Sequence, residues 1–159
     1  MGFGAIIATA LGLVLIIMTA YIVLGGTYSL SISMAESIKK IHEKKNEQLR
    51  TSIRIDSGSK SGIYVYLNLM NTGSSKIREF QMMDVIVANT STKNSSYLKY
   101  KNGVLSQEEW NLTILYKDHI NPGMADPGEG MNLTLRTTSN PNIVWVATPN
   151  GIVASAHLE

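Results

Sequence analysis

The chain has 159 residues, with 14 basic and 12 acidic side chains, a formal net charge of +2 and no cysteine. Nearly balanced charge without a polybasic run speaks against a nucleic-acid partner, and the missing cysteines remove disulfide scaffolds, thiolate metal sites and thiol nucleophiles together. The length allows one modest domain beyond the first segment and no more.

That first segment is apolar. Ala5 to Leu24 reads almost without interruption as aliphatic or small residues, and no Asp, Glu, Lys, Arg or His occurs before Glu36. A helix needs about 20 such residues to cross roughly 30 Å of hydrocarbon, so the stretch reads as a retained membrane anchor. A secretory signal would carry a basic start and a shorter apolar run of about 7–15 residues. Gly25-Gly26 is a place where the helix would loosen.

Beyond it, Leu30, Met34, Ile38, Ile41 and Leu49 share one helical face, with Lys39, Lys40, Glu43, Lys44, Asn46, Glu47 and Arg50 elsewhere around the axis. Residues 1–50 are therefore expected to form a transmembrane helix continuing into an amphipathic stalk, with some self-association along the apolar stripe. A helix from Gly4 to Gln48 would extend on the order of 65–70 Å and hold the following domain off the membrane.

Residues 51–159 change period from helical to alternating. Ile63, Val65, Leu67 and Leu69 alternate with Tyr64, Tyr66, Asn68 and Met70, the pattern of a half-buried strand that ends at Asn71-Thr72-Gly73. Further strands are expected at 52–55, 77–89, 97–100, 112–116, 131–137, 143–147 and 152–155, and Asn89 to Ser96 as a loop. Turn sequences separate nearly all of them: Lys60-Ser61-Gly62, Asn102-Gly103, Asn121-Pro122-Gly123, Asp126-Pro127-Gly128, Asn140-Pro141 and Pro149-Asn150-Gly151. Short strands at this spacing suit an immunoglobulin-like β-sandwich, so the fold class is mainly β, an N-terminal helix followed by a sandwich head. Trp145, in the most hydrophobic late strand, is expected in the core. Leu158-Glu159 are given no weight.

The residues offer little to catalysis. His42, His119 and His157 are scattered over stalk, loop and terminus without metal-ligand spacing. Asp118-His119 are adjacent, and neighbours on a strand point to opposite faces. Asp126-Pro127-Gly128-Glu129-Gly130 could offer oxygens to calcium, yet lacks the longer ligand alternation of dedicated loops and reads as a rigid turn. No enzyme activity, cofactor or metal is expected. Four Asn-x-Ser/Thr sequons begin at Asn89, Asn94, Asn111 and Asn132, which favours a head outside the cytoplasm. Lys39, Lys40, Lys44, Lys45 and Arg50 follow the span and argue the other way by the positive-inside rule. If the helix continues outward, Lys39 lies roughly 20 Å beyond Leu24, at or past the reach of that rule. The two arguments leave orientation open on charge alone.

With these residues in view the chain resembles the archaellum accessory proteins FlaF and FlaG, relatives of archaeal flagellins. The likeness runs through the opening Met1-Gly2-Phe3-Gly4-Ala5-Ile6-Ile7, the long helix, Asn71-Thr72-Gly73, the loop from Ile120 to Glu129 with its Pro-Gly-Glu, and Thr148-Pro149-Asn150-Gly151. It covers nearly the whole chain and is nearer to FlaF through Met1-Gly2-Phe3. The resemblance implies a non-catalytic part of the motor's stationary assembly, anchored by a single span in the cytoplasmic membrane, with its head beneath the surface layer. The implied partners are the surface-layer protein and FlaG-like subunits, with homo-oligomers as a further expectation. A pilin- or flagellin-like filament subunit, its long helix packed in a fibre core, is the alternative; flagellins carry a basic leader before that helix, and the expectation of none here counts against it. From physics alone, partners would meet exposed β edges, the loops bearing Asn121, Pro122, Asp126, Glu129 and Asn150, and the stripe of Leu30, Met34, Ile38, Ile41 and Leu49.

Overall fold

The computed structural model describes residues 2–116, 118 and 120–158, so His119 lies outside the described residues. The chain divides into two compact units, Met1–Glu43 and Lys44–Glu159. The first is helical and belongs to α1 (Phe3–Arg50), which runs unbroken through Gly25-Gly26. The expected loosening does not occur there. Two glycines cost about 1 kcal/mol each in propensity, less than leaving backbone groups unpaired in the middle of a helix.

No side chain of α1 is buried. Its Thr9, Thr19 and Thr27 hydroxyls donate to carbonyls three or four residues earlier, at 2.9–3.1 Å. Satisfying polar groups within the segment is what a hydrocarbon environment demands. By length and composition α1 is apolar enough to cross a membrane. Leu30, Met34, Ile38 and Ile41 are all exposed along it.

In the second unit the last turns of α1 lead into eight strands among the described residues: β1 (Ile53–Ser61), β2 (Tyr64–Asn71), β3 (Asp84–Asn89), β4 (Asn94–Tyr100), β5 (Glu109–Tyr116), β6 (Gly130–Arg136), β7 (Ile143–Ala147) and β8 (Val153–His157). Their order is β1-β2-β6-β5-β4-β3-β7-β8. Every pairing is antiparallel except β4 with β5, which meet in parallel through only Lys99↔Glu109 and Tyr100↔Trp110. That short junction separates two layers, β1-β2-β6-β5 and β4-β3-β7-β8. In chain order these are the A-B-E-D and C′-C-F-G sheets of an immunoglobulin-type sandwich.

The period-2 pattern decides what fills the space between the layers. Val65, Leu67 and Leu69 of β2, with Met131, Leu133 and Leu135 of β6, face Val85 and Val87 of β3 and Val144 and Val146 of β7 across one core. Ile63 stands before β2 and is exposed.

Two further expectations, for Trp145 and for the stretch 77–89, also need correction. Trp145 is half-buried on the outer side of β7, because alternation turns it away when Val144 and Val146 face inward. The buried indole is Trp110, in edge-to-face contact with Tyr100 at 5.0 Å. The stretch 77–89 is not one strand: Ile77 forms an isolated bridge with Ala125, and a 3₁₀ turn at Phe80–Met82 precedes β3. Phe80 and Met83 are both buried, and 3₁₀ geometry brings i and i+3 to the same side where a strand would not.

The Asn89 to Ser96 segment is a hairpin, β3 reaching Asn89 and β4 starting at Asn94. Leu158 is also part of the core, and a Cβ on Gly58 would come within 2.6 Å of it. Left-handed φ angles at Gly62, Gly103, Gly123, Gly128 and Gly151 fall on five of the turn sequences.

Candidate functional site

Three loops converge on the C-terminal end of α1, within the second unit. A helix leaves its last carbonyls without intrahelical donors, and here the loops supply them. The Arg50 carbonyl accepts the N–H groups of Ser74 and Ser75 at 2.7 and 3.1 Å, and Ser52 O accepts those of Thr72 and Gly73. Thr51 closes the helix itself, its hydroxyl donating to Glu47 O at 2.8 Å. The approach is so close that a Cβ on Gly73 would lie 2.5 Å from Arg50 O and from Ser52 N. Asn71, fully buried, donates from Nδ2 to Ser75 O and Ala125 O, both at 2.8 Å, and accepts the Gly73 N–H.

The second loop is laced to the first. Asn71 N donates to Glu129 O and Gly128 N to Asn71 O. Asp126 and Glu129 are buried. Asn121 Nδ2 donates to both Asp126 carboxylate oxygens at 2.9 Å, and Asp126 N donates to Glu129 Oε2 at 2.8 Å. These carboxylates are turned onto the protein's own N–H groups. The third loop grips the helix directly: Gln48 Nε2 donates to Asn150 O and Asn150 Nδ2 to Thr51 Oγ1, each at 2.7 Å. Asn71-Thr72-Gly73, the Pro-Gly-Glu loop and Pro149-Asn150-Gly151 thus form one socket for the helix end. Sequence reading found each turn without finding their common task.

Beside the socket lie two clefts of about 260 and 350 Å³ that share Glu47, Lys76 and Arg78. Lys44 and Asn150 line the first, Arg50 and Asp126 the second. Lys44, Arg50, Lys76 and Arg78 make no ion pair among the described residues. Of the residues expected to meet partners, Asn150 and Asp126 therefore border these clefts, Asn121 and Glu129 brace the loop behind them, and Leu49 is exposed nearby in sequence. Pro122 is exposed on the same loop as Asn121. Leu30, Met34, Ile38 and Ile41 belong to the other unit.

The sequons differ in what their amides do. Asn89 Nδ2 donates to Asn140 O, Asn111 Nδ2 to Gly103 O and Asn132 Nδ2 to the Tyr116 hydroxyl. Asn94 is exposed, and its side chain makes no hydrogen bond among the described residues. Among the described residues no cluster of three or more His, Asp or Glu has metal-binding geometry.

No family model matches the chain, and no curated protein matches it in sequence. Solved structures do. The archaellum periplasmic stator protein FlaG from Sulfolobus acidocaldarius is similar with a TM-score of 0.52 at 21% identity, covering 67% of this chain and 97% of that one. The fold is that of the archaellum stator proteins. A chain of the stator complex of FlaF and FlaG from the same organism matches with a TM-score of 0.51 at 21% identity, over 65% of this chain and 85% of that one. These two likenesses concern the β fold alone and do not distinguish FlaF from FlaG.

Proposed function

We propose that the protein is a membrane-anchored, non-catalytic component of the archaellum stator, of the FlaF/FlaG class, with its head outside the cytoplasmic membrane. The observation that carries this reading is the pairing, in one chain, of the stator-protein β fold with a helix apolar enough to span a bilayer. The helix supplies the anchor, and its internally satisfied threonine hydroxyls suit hydrocarbon. The socket around Arg50 supplies the load path. Backbone and side-chain hydrogen bonds from two loops hold the helix end, and the Pro-Gly-Glu loop braces the first of them, so a pull on the head is shared by the sandwich and not borne by one linker.

A FlaG-like subunit is the natural partner, since the matched complex pairs FlaF with FlaG, and Met1-Gly2-Phe3 favours the FlaF role for this chain. The surface-layer protein is the second proposed partner, met by the head. The exposed stripe of Leu30, Met34, Ile38 and Ile41 would pack against a neighbouring helix in the assembly, and the boundary between stalk and head would fall near residue 50.

The test is a deletion strain complemented with the full-length gene, together with affinity purification of the detergent-solubilised protein. Lost swimming, restored by complementation, and recovery of stator subunits and surface-layer protein with the tagged chain support the reading. Normal motility, or the protein recovered at stoichiometric abundance in sheared filaments, would overturn it, the latter in favour of a filament subunit.

A further inference from the structure

The outer face of the β1-β2-β6-β5 sheet holds a third cleft, of about 300 Å³, at the lower end of the roughly 300–1,000 Å³ usual for small-ligand sites. Register explains its lining. Ser59 pairs with Tyr66 and Tyr66 with Thr134, while Ser57 pairs with Asn68 and Asn68 with Asn132. The first outward row is therefore two hydroxyls flanking a phenol, and the second a hydroxyl and two amides. No Asp, Glu, Lys, Arg or His lines it, in contrast to the charged clefts at the socket.

Two tyrosines border the cleft from different strands. Tyr66 of β2 is 45% exposed and Tyr116 of β5 is 41% exposed, with β6 between them. Tyr66 is held by stacking on Tyr64 at 6.4 Å, and Tyr64 in turn by the Arg136 guanidinium 6.0 Å from its centroid. Tyr116 lies over Gly130, where a Cβ would come within 3.2 Å of its ring. The polar groups between them are fixed in place: Thr113 and Thr134 hydroxyls are 2.6 Å apart, and Asn132 Nδ2 donates to Tyr116 Oη at 2.6 Å. Asn132 Oδ1, at the lining, is shielded and accepts no hydrogen bond among the described residues.

We infer that this face binds a neutral glycan. A pyranose presents apolar C–H faces to stack on tyrosine rings and equatorial hydroxyls that both donate and accept. Its hydroxyls would meet Asn68, Thr134 and the β1 serines. An anionic or cationic ligand finds no counter-charge in the lining, and an apolar peptide would bury these amides and hydroxyls without partners. The inference goes beyond the stator reading and does not rest on it.

The test uses the detergent-solubilised full-length protein and saturation-transfer NMR with neutral gluco-, galacto- and manno-tetraoses, alongside a sialylated and a sulfated oligosaccharide. At least one neutral series should bind saturably. Tyr66→Ala and Asn68→Ala should each weaken it about tenfold, as expected for losing one stacking or hydrogen-bonding partner, and Tyr66→Phe should retain most of it. Thermal unfolding of each variant at the parent's temperature assigns the loss to the site. Absence of neutral-glycan binding across the panel, binding confined to the charged probes, or binding unchanged in both alanine variants would overturn the inference. Because the assay needs neither motility nor stator partners, its failure is separate from failure of the stator reading.

Discussion

A methyl group on Gly73 would press against the Arg50 carbonyl and the Ser52 nitrogen, both backbone atoms that side-chain rotation cannot move. Gly73→Ala should therefore destabilise the head by about 1–3 kcal/mol, the usual range for overpacking, seen as a lower midpoint in thermal unfolding. At Trp110 size and polarity pull apart. The side chain is fully buried, so Trp110→Ala should cost about 3–5 kcal/mol. Its indole N–H has no acceptor among the described residues, so Trp110→Phe removes an orphaned donor along with the lost area and should cost distinctly less. Denaturant titration of both variants checks the order. Among the sequons, Asn94 alone combines an exposed side chain with an amide engaged by no other group among the described residues. If the native protein is glycosylated, glycopeptide mass spectrometry should find Asn94 occupied first, and Asn132, whose amide is held by Tyr116, last.

At the scale of elements, the two layers meet through the two-residue parallel junction of β4 and β5, and Glu109 sits in it. Its carboxylate accepts the Ser106 N–H and faces Lys101 Nζ at 3.2 Å. The Ser106 hydrogen bond, aided by Lys101, holds its pKa below the ordinary carboxylate value. A lowered folded-state pKa stabilises above the unfolded value and loses that contribution as pH falls through the folded one. The thermal-midpoint gap between the parent and Glu109→Gln should accordingly be full at neutral pH and close as the solution is acidified through and below the carboxylate range. A gap independent of pH would rule out this role.

Elements also show where sequence carries structure. Alternation in β2 and β6 and the glycine-marked turns were legible, because a period of two and a left-handed φ each leave a local trace. Trp145 was misplaced because alternation fixes opposite faces without saying which is inner; Val144 and Val146 decide that only when β3 pairs with β7. The socket was invisible for a related reason. Residues 71–73, 126–129 and 148–151 are distant in the chain and meet only once the sandwich closes around the end of α1.

For the whole molecule, the proposed stator reading joins an apolar helix, a socket that grips its end and a sandwich of the stator fold into a means of holding a partner at a membrane. Cations after the span argue for a cytoplasmic head and the sequons for an external one, so orientation is the claim on which the account depends most. The decisive measurement is protease digestion of intact cells stripped of their surface layer, read by mass spectrometry of peptides from residues 51–159. The account predicts that the head is cleaved while a cytoplasmic marker stays whole. A protected head, digested only after lysis, would place it in the cytoplasm and contradict the stator assignment.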